Sequence, residues 1–195
     1  LGLSNLNESE EQGDLARALL EGVIVHDVCR WIAVCARQGD QVVLLSTWGK
    51  GQQVYLEGER YPIGEDGVSR CLQTGQVIEA GTPVSHPAEL TPPTRVELSE
   101  VLPFSSPALE RCASVHIKPL CDPYGEEVHG AIVLGVEHHA LLATPYINPV
   151  ELIIDEAAVK MSWLHAHEQL RQQAMIDGLT SLFNHRSFQS ELDQI

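Results

Sequence analysis

Paired cysteines, cationic side chains and long apolar runs are scarce in this sequence, and each scarcity removes a class of function. Lys and Arg number 12 against 27 Asp and Glu, for a formal net charge of -15. Nucleic acids and anionic membranes are gripped by clustered cations that neutralise phosphates, so neither is expected as a partner. A negative field also repels anionic effectors, so any such ligand needs a locally basic pocket. The five cysteines, Cys29, Cys35, Cys71, Cys112 and Cys121, are odd in number and lack the close pairs of a zinc site or disulfide framework. A reducing, cytoplasmic setting fits them. No run approaches the roughly 20 apolar residues that span a bilayer, and the N-terminus lacks the basic-then-apolar order of a signal peptide. What is present is ordinary globular composition, 195 residues with 44% hydrophobic and 20% charged. That length suits one complete domain with an appendage.

Periodicity along the chain gives an α+β order. Residues 1–8 are mostly polar and expected to fray. Leu15, Ala18, Leu19, Gly22 and Val23 form a helix-period stripe, read as a helix from Ser9 to Glu21 with Ser9 and Gln12 as a capping box. The period then falls to two from Val25 to Val34, and Gly39-Asp40 turns the chain into Gln41–Thr47, a β-hairpin. A third strand is expected near Val54–Leu56, a short helix over Val68–Gln73 stopped by Gly75, and a strand at Val77-Ile78. Six prolines punctuate residues 81–111. That stretch reads as a long connection, a candidate lid, with one short helix near Thr94–Glu100. Two strands follow, Cys112–Leu120 and Val128–Glu137, joined by a turn at Asp122-Pro123-Tyr124-Gly125.

From Asn148 the pattern is helical, with Asn148 as cap, Pro149 in the first turn and Glu151 completing a capping box. A helix from Pro149 to Ile176 is about 40 Å long at about 1.5 Å per residue. It carries two apolar stripes, Ile154, Ala157, Met161 and Leu164 on one side and Val159, Trp163, Ala166 and Leu170 on the other. One stripe packs on the sheet. The other calls for a partner, a second copy of the same helix, and Ile154, Met161, Leu164 and Leu170 are the candidate dimer residues. A single broad core-facing stripe on a monomer is the alternative.

Pro62-Ile63-Gly64-Glu65-Asp66-Gly67-Val68, followed by Cys71-Leu72-Gln73-Thr74-Gly75-Gln76-Val77-Ile78, resembles the proline, aliphatic, glycine, helix, Thr-Gly stretch of GAF domains. Ala113–Leu120, Asp122, Gly125 and Gly130-Ala131-Ile132-Val133-Leu134-Gly135-Val136 are similar to the paired final GAF strands. The resemblance covers residues 9–165 and implies a sensory domain with an antiparallel sheet and helices mainly on one side. Asp177-Gly178-Leu179-Thr180-Ser181-Leu182-Phe183-Asn184-His185-Arg186-Ser187-Phe188 resembles the opening of a GGDEF domain, usually Asp-x-Leu-Thr-Gly-Leu-x-Asn-Arg-Arg-x-Phe, with Ser181 and His185 as departures. This resemblance makes 149–176 a signalling helix and 177–195 the truncated start of a diguanylate cyclase domain. Asp177, Leu179, Thr180, Leu182, Asn184 and Arg186 would form the signal junction. The Gly-Gly-Asp/Glu-Glu-Phe signature does not occur in these residues, so they are not expected to condense GTP, and magnesium and GTP belong to the missing catalytic domain.

The implied function is a bacterial regulatory module that dimerises and relays a small-molecule or partner signal to two cyclase domains. Arg30, His116 and Lys118 are the candidate ligand-binding residues, with His116 and Lys118 on the polar face of one strand. His86, His116, His129, His138 and His139 lack ligand spacing, so no metal or other cofactor is expected. Two alternatives stay open, a GAF-fold enzyme of the free methionine sulfoxide reductase type using cysteines, and a module that binds nothing and only dimerises.

Overall fold

The computed structural model describes residues 2–50, 58–81, 94–103, 109–124, 127–137 and 147–175. The strand expected near Val54–Leu56, most of the proline-rich connection, and the entire signal junction from Asp177 to Arg186 lie outside the described residues. In chain order the elements are α1 (Gly2–Ile24), β1 (Trp31–Gln38), β2 (Gln41–Gly49), β3 (Arg60–Pro62), α2 (Gly67–Thr74), β4 (Ile78–Gly81) and β5 (Thr94–Val96), then two 3₁₀ turns (Leu98–Glu100 and Leu109–Arg111), β6 (Ser114–Cys121), β7 (Val128–Val136) and α3 (Ile147–Met175).

The seven strands make one sheet in the order β3-β2-β1-β7-β6-β4-β5. All neighbours are antiparallel except β4 and β5, which run parallel. The β1–β2 hairpin turns where expected, with Gln38 opposite Gln41 and Gly39 at a φ of 60° that favours glycine. β1 and β7 lie side by side at the centre, where their residues alternate between two faces that are both buried.

On one face Ile32, Val34, Ala36, Ile132, Leu134 and Val136 pack against Leu19, Leu20 and Val23 of α1 and Ile154, Ala157 and Met161 of α3. On the other, Trp31, Ala33, Cys35, Val115, Ile117 and Val133 pack against Val68, Cys71 and Leu72 of α2. Val96, Val101, Leu102 and Leu109 from the proline-rich connection close that second core. The two long helices therefore share one face, in line with the expectation of helices mainly on one side, and the short α2 covers the other.

Several local expectations change. α1 begins at Gly2, so Ser9 lies inside the helix and does not cap it, and residues 2–8 are helical. The same helix runs on to Ile24, and Val25–Asp27 form a turn, with Asp27 at φ 50°. Val23, Ile24 and Val25 favour strand by β-branching, but burying Leu19, Leu20 and Val23 on the sheet at helical spacing outweighs that propensity. The short helix expected at Thr94–Glu100 is instead strand β5 followed by a 3₁₀ turn, because Thr94–Val96 pairs with Ile78–Ala80. α2 is capped at its start by Asp66, whose Oδ1 accepts from the Ser69 backbone N–H at 3.0 Å, and ends at Gly75 in the left-handed region, φ 66°.

Two contacts fix how α1 and α3 lie. A Cβ on Gly22 of α1 would meet Ile153 at 3.2 Å, near the start of α3. Further back along α1, Gln12 accepts a hydrogen bond from Gln38 at the end of β1, while Met161 of α3 sits over Gly130, which pairs with Ala36. The helices run antiparallel, with Gln12 of α1 and Met161 of α3 towards the same end of β1.

Candidate functional site

The three basic candidates do not build one pocket. Lys118 points to the helical layer and forms a close ion pair with Glu151 of α3. His116 shares that face of β6, is buried, and places Nδ1 3.4 Å from Oε1 of the buried Glu79 on β4. Arg30 lies at the entrance to β1, where Nη1 meets Glu137 Oε2 at 2.7 Å, and the two charges flank Cys112 in the other core. Each of the three basic side chains thus faces a carboxylate, which leaves little net positive field for an anionic ligand.

The alternation on β6 was read correctly, but its polar face meets α3 rather than the proline-rich connection. The described parts of that connection cover Val115 and Ile117, the apolar face. The described parts of the connection are therefore on the opposite side of the sheet from His116 and Lys118, whereas Arg30 lies near Cys112 in the core that they close. Under the connection the packing is close. A Cβ on Gly67 would stand 2.7 Å from Ile117 Cδ1, 3.3 Å from Val96 Cγ2 and 3.4 Å from Val101 Cα.

The cysteines are poorly placed for nucleophilic work. Burial pushes the thiols of Cys29 and Cys35 up to about 12 and that of Cys112 to about 11, and raises Cys71 as well. Cys121 is partly exposed and is also raised, by desolvation and then by Asp122. A thiol acts as its thiolate, and these environments disfavour that form.

Of the four candidate dimer residues, Ile154 and Met161 are covered by their own sheet, at 3% and 1% exposure, and cannot reach a partner. Leu164 is half-buried, and Leu170 is exposed. The outward stripe consists instead of Leu152, Val159, Trp163 and Leu170, exposed by 70%, 49%, 63% and 65%. At roughly 100° per residue these four fall within about 40° of arc. Val159, Trp163, Ala166 and Leu170 follow the alternating four- and three-residue spacing of a coiled-coil seam, and Leu152 lies one heptad before Val159 with Glu156 at the intervening position. Leu152 was missed because it precedes the residues from which the stripe was first traced.

Sequence also missed a cluster at the β6–β7 turn. Glu127, His129 on β7 and His165 on α3 each bring a potential donor atom within 4.8 Å of the others. His165 stood outside the histidines weighed from sequence, since nothing local marks it. Among the described residues no helix is long and apolar enough to cross a membrane.

No protein-family model and no curated protein sequence matches the chain. Solved structures do resemble it. The GAF domain of a two-component sensor histidine kinase from Bacillus halodurans superposes with a TM-score of 0.56 at 13% identity, covering 79% of this chain and 95% of that one. The nlh2 GAF domain of A. Aeolicus in an inactive state gives 0.53 at 12% identity over 84% and 98% of the two chains. The type II free methionine-R-sulfoxide reductase from Thermoplasma acidophilum gives 0.51 at 13% identity over 82% and 96%. At these identities the likeness establishes the fold, that of GAF domains, and sensors and an enzyme share it.

Proposed function

We propose, from the GAF-domain fold as premise, that this chain is the regulatory and dimerising module of a bacterial, cytoplasmic diguanylate cyclase. In this reading α3 passes a change in the sheet domain to GGDEF domains that join two GTP molecules into cyclic di-GMP. The observation that carries it is the double-faced helix. One stripe of α3 is locked to the sheet by Ile154, Ala157 and Met161, while Leu152, Val159, Trp163 and Leu170 stand exposed with seam spacing on a helix that leads towards Asp177-Gly178-Leu179-Thr180. A second copy of α3 is the occupant that such spacing suits. Parallel pairing would deliver Asp177 of both chains to the same end, as a reaction between two substrate-loaded domains requires.

Two of the five cysteine thiols are held near 12, and the other three are raised as well, which speaks against the sulfoxide reductase reading. The close packing around Gly67 favours a module switched by a partner or by its own dimer geometry over one with a roomy ligand cavity in that region.

The test is a chimera in which these residues replace the regulatory half of an unrelated diguanylate cyclase. Its cyclic di-GMP output should exceed that of the isolated catalytic domain and fall towards that baseline when Trp163 and Leu170 are both changed to Glu. Output equal to the isolated domain, or unaffected by the double change, would refute the relay.

A further inference from the structure

We propose that Glu127, His129 and His165 form a binding site for a divalent transition-metal ion, with zinc the best fit to the donors, tying α3 to the β6–β7 hairpin. The imidazole rings are 5.0 Å apart between centroids and tilted by 44°. His165 Nε2 lies 3.8 Å from Glu127 Oε1, and all three donor atoms fall within 4.8 Å of one another. Two imidazoles and a carboxylate form a known zinc donor set, with the fourth tetrahedral position left to water or another ligand. An ion with donors at about 2.1 Å holds them about 3.4 Å apart. The three side chains therefore need to close by roughly 1 Å, which torsions about their side-chain bonds supply without moving the backbone.

A further observation points to a ligand. His129 is 8% exposed, and its Nε2 has no hydrogen-bond partner among the described residues. A buried ring nitrogen left in that state is costly, and a coordinated ion would satisfy it. At His165, the Gln169 side-chain amide nitrogen lies 2.9 Å from Nε2, a contact that an ion bound there would displace. Asp122 steadies the third ligand, its Oδ1 accepting from the Glu127 backbone N–H at 3.0 Å. The competing thiols are raised by burial and are poor ligands in the native chain.

The donors come from the two elements whose relative position matters most. Glu127 and His129 belong to the hairpin, and His165 lies on α3 between the exposed Trp163 and Leu170. An ion here would cross-link helix to sheet on the side of α3 roughly opposite the exposed stripe. Binding itself does not depend on the cyclase reading and fails or succeeds independently of it.

The experiment strips the full chain with a chelator, dialyses it against zinc sulfate or cobalt chloride, and measures retained metal and the cobalt spectrum. The expected result is one ion per chain, with visible cobalt bands and no near-ultraviolet thiolate charge-transfer band. Glu127→Gln, at an exposed position that does not endanger folding, and His165→Ala should each weaken binding by at least about tenfold, since even the groups that merely orient metal ligands contribute that much. His167→Ala, in the same turn of α3 but stacked on Trp163, should bind as the wild type does. Failure to retain metal, a thiolate band, or wild-type affinity in both Glu127→Gln and His165→Ala would overturn the site.

Discussion

Replacing Trp163 and Leu170 together with Glu should convert a dimer of this chain into monomers while leaving its sheet intact. The four residues of the outward stripe expose between 49% and 70% of their surface. Full burial of a large apolar side chain contributes about 1.5–3 kcal/mol, so covering the exposed part gives about 1–2 kcal/mol each. Eight such side chains across a symmetric pair supply about 8–16 kcal/mol gross, set against an association cost of about 4–15 kcal/mol. The surplus is small, and the dimer depends on every member of the stripe. The double change removes half of that gross term and places four carboxylates in an apolar seam, a further cost of several kcal/mol. Glu156, at the seam position between Leu152 and Val159, is already charged and is paired with Lys160 at 2.7 Å. Sedimentation velocity at tens of micromolar should report dimer for the wild type and monomer for the variant, with the same far-ultraviolet circular dichroism. A monomeric wild type, or a variant that remains dimeric, would refute the seam.

Three further outcomes follow from particular contacts. Gly130→Ala should destabilise the domain by about 1–3 kcal/mol in urea denaturation, because its Cβ would press on the Cys35 carbonyl oxygen and lie 3.0 Å from Met161 Sδ; an unchanged midpoint would mean that α3 does not rest there. Burial, opposed in part by Glu127, holds His129 below its ordinary value of 6.5, with His165 lowering it further and Asp122 raising it. The folded chain therefore binds fewer protons there than the unfolded chain, so stability present at neutral pH is lost as pH falls below 6.5. His129→Gln should flatten that dependence in chelator-containing buffer, and an unaltered slope would exclude His129 as its source. In the native chain the partly exposed Cys121 should react with a disulfide reagent before the four buried cysteines, and prompt reaction of Cys29 or Cys35 would contradict their burial.

Much of the fold was legible because its signals are local. The β1–β2 turn followed from Gly39-Asp40, and the end of α2 from Gly75, residues whose backbone freedom those sites require. Alternation identified the apolar and polar faces of β6, and helical spacing separated the two stripes of α3. Local signals misled where tertiary burial competed with them. Val25 read as strand although α1 and its turn take it, and Thr94–Val96 read as helix although β4 captures it as a parallel edge.

The sequence by itself determined which residues alternate, where turns fall, and that α3 has one stripe more than its own sheet needs. Tertiary structure decided which face each stripe meets. It sent Ile154 and Met161 inward, left Leu152 and Trp163 outside, and opposed His116, Lys118 and Arg30 with Glu79, Glu151 and Glu137. It also brought His165 to His129 across the gap between a helix and a strand. The reason is physical. Period and turn chemistry act over a few neighbouring residues, whereas charge pairing, burial and a shared donor set depend on distances that exist only once the helices have packed on the sheet.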